Sequence, residues 1–333
     1  MGGGVLQMSS AENTFSDVSF ESGGTRCAAW HFTATTDALD GPAGRPVVVM
    51  AHGLGGTKDS GLAPFAEKIA AAGMDVLAFD YRGFGDSDGS PRQTVSISGQ
   101  IDDYRAAMTT AAALPGVDPN RIVLWGVSLS GGHVLTAAAG RDDVCAVVSL
   151  TPLVNGAAAG RLAFAHHPVS AIAKSTAAGV RSRLSGFRGG DGVMMPIVGS
   201  PGEVAALTLD GSYADYMAIA GPSWRNEIDA SIGLELGRLR ADKSAKDVRC
   251  PVLVQVADFD RSAPPHAAGK AAFTARAEVR HYPCDHFGVW PGQDCFESAV
   301  AHQISFLRRH LATPANDEPR QKSSVAAEPV AAG

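Results

Sequence analysis

The sequence is poor in cysteine, and its cysteines form no paired motif. Five occur in 333 residues, and no Cys-x-x-Cys pair is among them: Cys27, Cys145, Cys250, Cys284 and Cys295. Zinc-ribbon and thioredoxin-like sites are therefore excluded. Because the number of cysteines is odd and they are widely spaced, the sequence predicts mostly buried, reduced thiols in a cytoplasmic protein. A disulfide between Cys284 and Cys295 remains an open alternative.

Long apolar runs and an excess of basic residues are also missing. No apolar run reaches the roughly 18 residues of a membrane-spanning helix. The first residues lack the basic and apolar regions of a signal peptide, so no leader is predicted. Lys and Arg number 28 against 34 Asp and Glu, which gives a formal net charge of −6. Because no basic surface is indicated, nucleic acid is not expected as a partner.

The motifs of common cofactor sites are missing as well. No cluster of His, Cys and carboxylates has ligand-like spacing, so no metal is predicted. The glycine-rich segments that begin at Gly53 and Gly83 match neither G-x-G-x-x-G nor G-x-x-x-x-G-K-[ST]. No nucleotide or other cofactor is therefore expected.

What the sequence contains instead is an alternation of short apolar runs and helical patterns. The runs are near-continuously apolar, which predicts strands buried on both faces of a mostly parallel sheet. They occupy residues 47–51, 74–79, 121–125, 144–150, 251–256 and 277–282. Helical spacing, which predicts helices on both faces of this sheet, occupies residues 61–72, 98–114, 132–139 and 296–311. The predicted fold class is therefore α/β.

The alternation breaks in the middle of the chain and suggests an insertion. Residues 153–248 are rich in Gly, Ala, Met and Pro, and their patterns are short. We expect them to form a helical cap inserted into a core that consists of residues 13–152 and 249–312. The compositions of residues 1–12 and 313–333 predict disordered ends.

One predicted strand runs directly into a serine turn. Residues 126–132 read GVSLSGG, between the strand at 121–125 and the helix at 132–139. A serine on such a turn is lifted clear of the backbone and needs small neighbours, and the helix that follows directs N–H groups at it. Ser128 is therefore the predicted nucleophile. The motif departs from G-x-S-x-G at Ser130, where a small serine replaces the last glycine.

A serine hydroxyl needs a base, and the base needs an orienting acid. In strand–turn–helix sites of this kind the chain order is Ser, acid, His. His286 follows the last predicted strand and is the predicted base. Asp258 and Asp260 both follow the strand at 251–256, so either could lie at the same sheet edge. Asp285 is a poor orienting partner, because it is adjacent to His286.

Acyl transfer also needs N–H donors for the oxyanion that forms in the transition state. One predicted donor is the backbone N–H of Leu129, immediately after the nucleophile. The other is the N–H of Leu54, which lies between glycines in the segment HGLGG at 52–56. These two N–H groups are the predicted oxyanion hole.

These motifs together give the chain a family resemblance. Over about residues 15–312 it resembles the α/β-hydrolase superfamily, through HGLGG at 52–56, DYRGFGDS at 80–87 and the segments around Ser128, Asp260 and His286. It is similar to bacterial esterases of the dienelactone-hydrolase and Xaa-Pro dipeptidyl-peptidase-like branch, and to fungal polyketide transferases with the same G-x-S-x-S-G-G-H elbow. The resemblance implies an α/β-hydrolase fold with Asp260 as the acid, and ester hydrolysis or acyl transfer.

The functional hypothesis is an esterase that cleaves small-molecule carboxylic esters through an acyl-Ser128 intermediate. An acyltransferase or thioesterase would use the same acyl-enzyme, while a peptidase and a non-catalytic ligand receptor rank lower. In the predicted cap, Met194, Tyr216 and Trp224 are the residues expected to contact the substrate. A homo-oligomer is compatible with the sequence.

Overall fold

The computed structural model describes residues 14–188 and 190–312. The predicted disordered ends, residues 1–12 and 313–333, lie outside the described residues.

An eight-stranded sheet forms the centre of the molecule. Its strands are β1 (Ser16–Ser22), β2 (Thr25–Phe32), β3 (Arg45–Ala51), β4 (Asp75–Phe79), β5 (Val117–Val127), β6 (Val144–Leu150), β9 (Val252–Ala257) and β10 (Glu278–Tyr282). Two further short strands, β7 (Met194–Met195) and β8 (Ile228–Asp229), form a separate ribbon. The strand order is β1-β2-β4-β3-β5-β6-β9-β10. Pairing is parallel from β4 to β10, and β1 and β2 pair antiparallel at one edge.

In the described part of the chain, ten α-helices accompany the strands. They are α1 (Ala63–Ala70), α2 (Ile97–Ala112), α3 (Leu129–Ala138), α4 (Gly156–His166), α5 (Val169–Phe187), α6 (Ser212–Ile219), α7 (Ile232–Leu236), α8 (Ala241–Ser244), α9 (Pro265–Thr274) and α10 (Phe296–Leu311). On one face of the sheet α1 contacts α10, and on the other α2, α3, α8 and α9 pack in a row. The predicted fold class, a mostly parallel sheet with helices on both faces, is confirmed.

Trp125 of β5 joins the sheet to one of its helical layers. Its ring centroid lies 5.2 Å from that of Phe65 on α1, which lies 4.9 Å from that of Phe296 on α10. The indole N–H of Trp125 donates a hydrogen bond of 3.0 Å to Gln303, so this buried polar atom is satisfied. Full burial of a Phe side chain contributes about 1.5–3 kcal/mol to stability. This cluster therefore fixes α1 and α10 against β5, the strand that leads to Ser128.

Residues 153–248, the inserted segment, leave the sheet after β6 and return before β9. The two ends meet, because the N–H of Gly156 donates a 3.0 Å hydrogen bond to the carbonyl oxygen of Leu239. Asn155 caps α4 by accepting from the N–H of Ala158 at 2.9 Å. Among the described residues, none of the helices combines the length and the apolar character that crossing a bilayer requires.

Candidate active site

The backbone at Ser128 is strained in the way a tight strand-to-helix turn requires. Ser128 lies between β5 and α3 with φ 58° and ψ −118°, in the positive-φ region that most residues avoid. A side chain at Gly126 would not fit, because its Cβ would lie 2.3 Å from the carbonyl oxygen of Ser130. Gly126 therefore permits this turn, and the turn directs the Ser128 side chain toward the cavity described below.

Ser130, which replaces the last glycine of G-x-S-x-G, forms hydrogen bonds that stabilise the turn. Its hydroxyl oxygen accepts a 2.7 Å hydrogen bond from the N–H of Val127, and the hydroxyl lies 2.8 Å from the carbonyl oxygen of Ala51. A glycine could make neither contact. Ser130 thus ties the turn to the end of β3, where the HGLGG segment begins.

The side chains of Ser128, His286 and Asp260 lie in one hydrogen-bonded chain. The Nε2 atom of His286 lies 3.1 Å from Ser128 Oγ, and its Nδ1 atom lies 2.6 Å from Asp260 Oδ2. The other oxygen of Asp260 accepts from the N–H groups of Ser262 and Ala263, at 2.8 and 2.7 Å. These bonds hold the carboxylate so that it can orient the imidazole.

The environment of His286 sets its protonation. Burial disfavours the charged imidazolium, but the negative charge of Asp260 and its hydrogen bond outweigh this effect. The pKa of His286 is therefore raised above its ordinary value. An imidazole with a raised pKa is a stronger proton acceptor for a neighbouring hydroxyl.

The other carboxylates near the sheet edge have different partners. Asp258, the alternative acid, lies 2.6 Å from Nδ1 of His281 on the exposed side of the sheet edge. Asp285 accepts from the guanidinium of Arg261 at 2.7 Å and from the backbone N–H of His286 at 2.8 Å. Asp285 therefore shapes the loop that carries His286, and among these three carboxylates only Asp260 contacts the imidazole ring.

The two predicted oxyanion donors border the same site. Leu129 is the first residue of α3, directly after Ser128. A Cβ added to Gly53 would lie 2.8 Å from Ser128 Cβ, so the HGLGG segment approaches the serine closely. Within the described parts of the chain, the N–H groups of Leu54 and Leu129 have no hydrogen-bond acceptor. Both therefore stay candidates for the predicted oxyanion donors.

A buried ion pair fixes the loop that carries Leu54, and sequence reasoning did not identify it. Lys58 is 1% exposed, and its Nζ atom lies 2.8 Å from Asp80 Oδ2. The other oxygen of Asp80 accepts from the backbone N–H of Lys58 at 2.6 Å. A lysine soon after HGLGG and an aspartate ending the next strand were the available signals, but neither indicates that the two side chains meet.

A cavity of about 410 Å³ has Ser128, His286 and Leu54 in its wall. Much of the remaining wall comes from the inserted segment and consists of small or aliphatic residues. On α4 these recur every three or four residues, as Gly156, Ala159, Gly160 and Ala163. The cavity is therefore mostly apolar, with the serine hydroxyl in its wall and with Glu203 and Arg261 as charged members of the lining.

The three residues that we expected to contact the substrate lie elsewhere. Met194, Tyr216 and Trp224 are absent from the cavity wall, whereas Met195 belongs to it. Tyr216 is buried and stacks on Trp224 with ring centroids 5.0 Å apart. Its hydroxyl donates a 2.9 Å hydrogen bond to the carbonyl oxygen of Leu54. The aromatic pair thus supports the HGLGG segment from behind.

All five cysteines are free thiols, including Cys284 and Cys295, for which a bridge was an alternative. Burial and the neighbouring Cys295 thiol raise the pKa of Cys284 to about 12. In residues 14–188 and 190–312, no three His, Cys, Asp or Glu side chains are grouped so that they could hold a metal ion.

Known proteins are similar to this chain, one of them over most of its length and others over about half of it. It is 36% identical over 296 residues to the quorum-quenching protein AidA of Acinetobacter baumannii, a match that covers 88% of this chain and 94% of AidA. It is 35% identical over 162 residues to the thiohydrolase aneE of Aspergillus aculeatus, and 32% over 165 residues to the polyketide transferase claH of Penicillium crustosum. The last two matches cover 49% and 45% of this chain, and 50% and 52% of those proteins.

Solved structures and a family model agree on the fold. The structure of DcsB in complex with its substrate analogue superposes with a TM-score of 0.74 at 24% identity, over 90% of this chain and 100% of that chain. The family model Hydrolase_4, described as serine aminopeptidase, S33, matches residues 42–284. These residues include HGLGG, Ser128 and Asp260, and end just before His286. The chain therefore belongs to the Hydrolase_4 family of α/β-hydrolases.

Proposed function

We propose that this protein is a serine hydrolase that cleaves carboxylic esters with an apolar acyl chain, through an acyl-Ser128 intermediate. The observation that carries the proposal is the chain of contacts from Asp260 through His286 to Ser128 Oγ, at 2.6 and 3.1 Å, in the wall of an apolar cavity. No cofactor is needed for this chemistry, because the side chains supply nucleophile, base and acid.

In the first step, His286 accepts the proton of Ser128 while Oγ attacks the ester carbonyl carbon. The carboxylate of Asp260 stabilises the imidazolium that forms. The N–H groups of Leu54 and Leu129 would donate to the oxyanion, and one such donor typically contributes about 10²–10³ in rate. The imidazolium then gives its proton to the departing alkoxide, which leaves an acyl-serine. Water, deprotonated by His286, releases the acid and restores Ser128.

The wall of the cavity supports the substrate class. Small residues of α4 and α5 leave room for a chain of methylene groups, and burial of each contributes about 0.8 kcal/mol. In this proposal the inserted segment acts as the cap that closes the acyl site. Because one relative is described as a quorum-quenching protein, quorum-sensing signals that contain an ester bond belong among the substrates to be tested.

The test is a burst assay with p-nitrophenyl esters of increasing acyl length, on the wild-type protein and on Ser128→Ala. We expect a burst that equals the enzyme concentration, followed by turnover, and a loss of about four to six orders of magnitude in kcat in the variant. Mass spectrometry of the quenched burst should find the acyl group on the peptide that contains Ser128. Turnover by Ser128→Ala at the wild-type rate would overturn the proposal.

Acyl transfer is the second candidate, since two partial relatives are described as a thiohydrolase and a polyketide transferase. Both reactions share the acyl-serine, so the acceptor separates them. In the same assay, an added alcohol that shortens the slow phase and yields a new ester would identify a transferase. A slow phase that depends on water alone, with free acid as the product, would identify a hydrolase.

A further inference from the structure

Helix α5 has an inner face that borders the cavity and an outer face that is exposed to solvent. Its inner face contributes small residues such as Ser175 and Gly179 to the cavity wall. Its outer face carries exposed apolar side chains at intervals of three or four residues: Val169, Ala173, Ala177, Val180, Leu184 and Phe187. Because this spacing follows the helical repeat, the six side chains form one continuous row, the outer strip.

The outer strip is unusually exposed for its composition. Phe187 is 91% exposed and Val169 is 70% exposed, and Phe164 of the neighbouring α4 is 59% exposed. Single exposed apolar residues are ordinary on protein surfaces, but a continuous strip along five turns of helix marks an interaction site.

Positive charge accompanies the strip. The chain has a formal net charge of −6, but helices α4 and α5, through Arg188, contain no Asp or Glu. Their Lys and Arg residues are Arg161, Lys174, Arg181, Arg183 and Arg188. Lys174, Arg181 and Arg188 are seven residues apart, so they line one flank of the strip, the basic row. All three are exposed, and among the described residues none of them forms a salt bridge. Arg183, on the opposite flank, lies 3.6 Å from Glu235.

We propose that the outer strip and the basic row dock on an anionic lipid surface. A helix with an apolar face and a basic polar flank lies in the plane of a membrane interface, with its apolar side chains among the acyl chains. The basic row would meet the lipid phosphates, which compensate its charge. The cavity wall, on the inner face of the same helix, would then lie directly behind the docked surface.

A second copy of this chain fits the same face less well. A two-fold contact places the same patch of both copies together, so antiparallel strips would bring the two basic rows close to each other, and parallel strips would bring each basic row beside the flank that carries Arg183. No acidic residue of α4 or α5 could compensate them. An anionic surface relieves this repulsion and also accepts the apolar strip, which is why we assign the face to lipid.

Vesicle flotation with the full-length protein tests the assignment. The vesicles contain either phosphatidylcholine alone or an equal mixture of phosphatidylcholine and phosphatidylglycerol. We expect binding only to the mixture, and weaker binding when salt is raised from about 0.1 M to about 1 M. The triple variant Lys174→Gln/Arg181→Gln/Arg188→Gln should bind about 100-fold more weakly, at about fivefold for each charge. Phe187→Ser should weaken binding by about tenfold.

Matched variants on other surfaces separate site-specific from general effects. Lys246→Gln/Lys270→Gln/Arg308→Gln removes the same charge from exposed positions elsewhere, and Phe273→Ser removes a ring that is 87% exposed on α9. Both controls should bind vesicles like the wild type. Equal losses in the control and test variants would overturn the proposal, as would the absence of binding to the anionic vesicles. A dimer in sedimentation that Phe187→Ser dissociates, without vesicle binding, would assign the strip to a second copy instead.

Discussion

The hydroxyl of Tyr216 on α6 donates a hydrogen bond of 2.9 Å to the carbonyl oxygen of Leu54. The bond joins the inserted segment to the HGLGG loop across 162 residues of sequence. Two further contacts join the same regions, because Asp59 accepts from the N–H of Ser223 at 2.7 Å and Ser60 accepts from that of Gly221 at 3.3 Å. The position of one predicted oxyanion donor therefore depends on the inserted segment.

Replacement of Tyr216 by Phe tests this dependence. The partly buried Leu54 carbonyl would lose its donor, and a typical intramolecular hydrogen bond contributes about 0.5–1.5 kcal/mol. We expect kcat for a p-nitrophenyl ester to fall by about tenfold with little change in KM, because the defect is in the oxyanion donor. Tyr213→Phe, which removes the hydroxyl of an exposed tyrosine on the same helix, is the control. If the two variants have equal kcat, Tyr216 does not position the loop.

Asn substitutions distinguish the two candidate acids. Asp260→Asn keeps the shape of the side chain but favours the wrong imidazole tautomer, and should lower kcat by about 10⁴. Asp258→Asn removes an exposed contact with His281 and should change kcat by less than about twofold. The measurement is kcat on one ester at saturating concentration. A large loss in Asp258→Asn with a small loss in Asp260→Asn would reverse the assignment.

The pH dependence of kcat/KM follows from the raised pKa of His286. The base must be neutral to accept the Ser128 proton, so activity is lost as pH falls through that pKa. We expect the midpoint of this loss above about pH 6.5, the ordinary pKa of an imidazole. In Asp260→Asn the residual activity should have its midpoint at lower pH, because the carboxylate charge no longer stabilises the imidazolium. An unchanged midpoint in this variant would contradict the proposed cause.

A larger side chain on α4 should shorten the acyl chain that the enzyme accepts. Ala163 lies in the cavity wall, and Ala165 is exposed on the same helix. Ala163→Phe should lower kcat/KM for a decanoyl ester by at least about tenfold and leave the acetyl ester nearly unchanged. Ala165→Phe should affect neither ester. A loss of equal size on both esters in Ala163→Phe would place the acyl chain outside this cavity.

The sequence predicted the sheet strands well and the inserted segment poorly. Buried parallel strands are continuously apolar, so β6 and α10 were located at their observed bounds. Helix α9 was missed, since its short, alanine-rich pattern begins with two prolines after a turn. Within the inserted segment we expected helices but could not predict where each begins and ends. Small residues face the cavity and apolar residues also face outward on α5, so the usual pattern of one apolar and one polar face is missing.

The sequence by itself indicated the nucleophile, the acid and the base, and their order along the chain. The strand–turn–helix pattern around Ser128 is local, and the later Asp and His residues each follow a predicted strand of the same sheet. The residues alone left both Asp258 and Asp260 open, and only the family resemblance favoured Asp260, since a choice of partner depends on the direction of each side chain in space. Only the tertiary structure decided that His281 meets one carboxylate and His286 the other. It also decided that Tyr216 supports the HGLGG loop rather than lining the cavity. Such contacts join distant segments, and no local pattern encodes them.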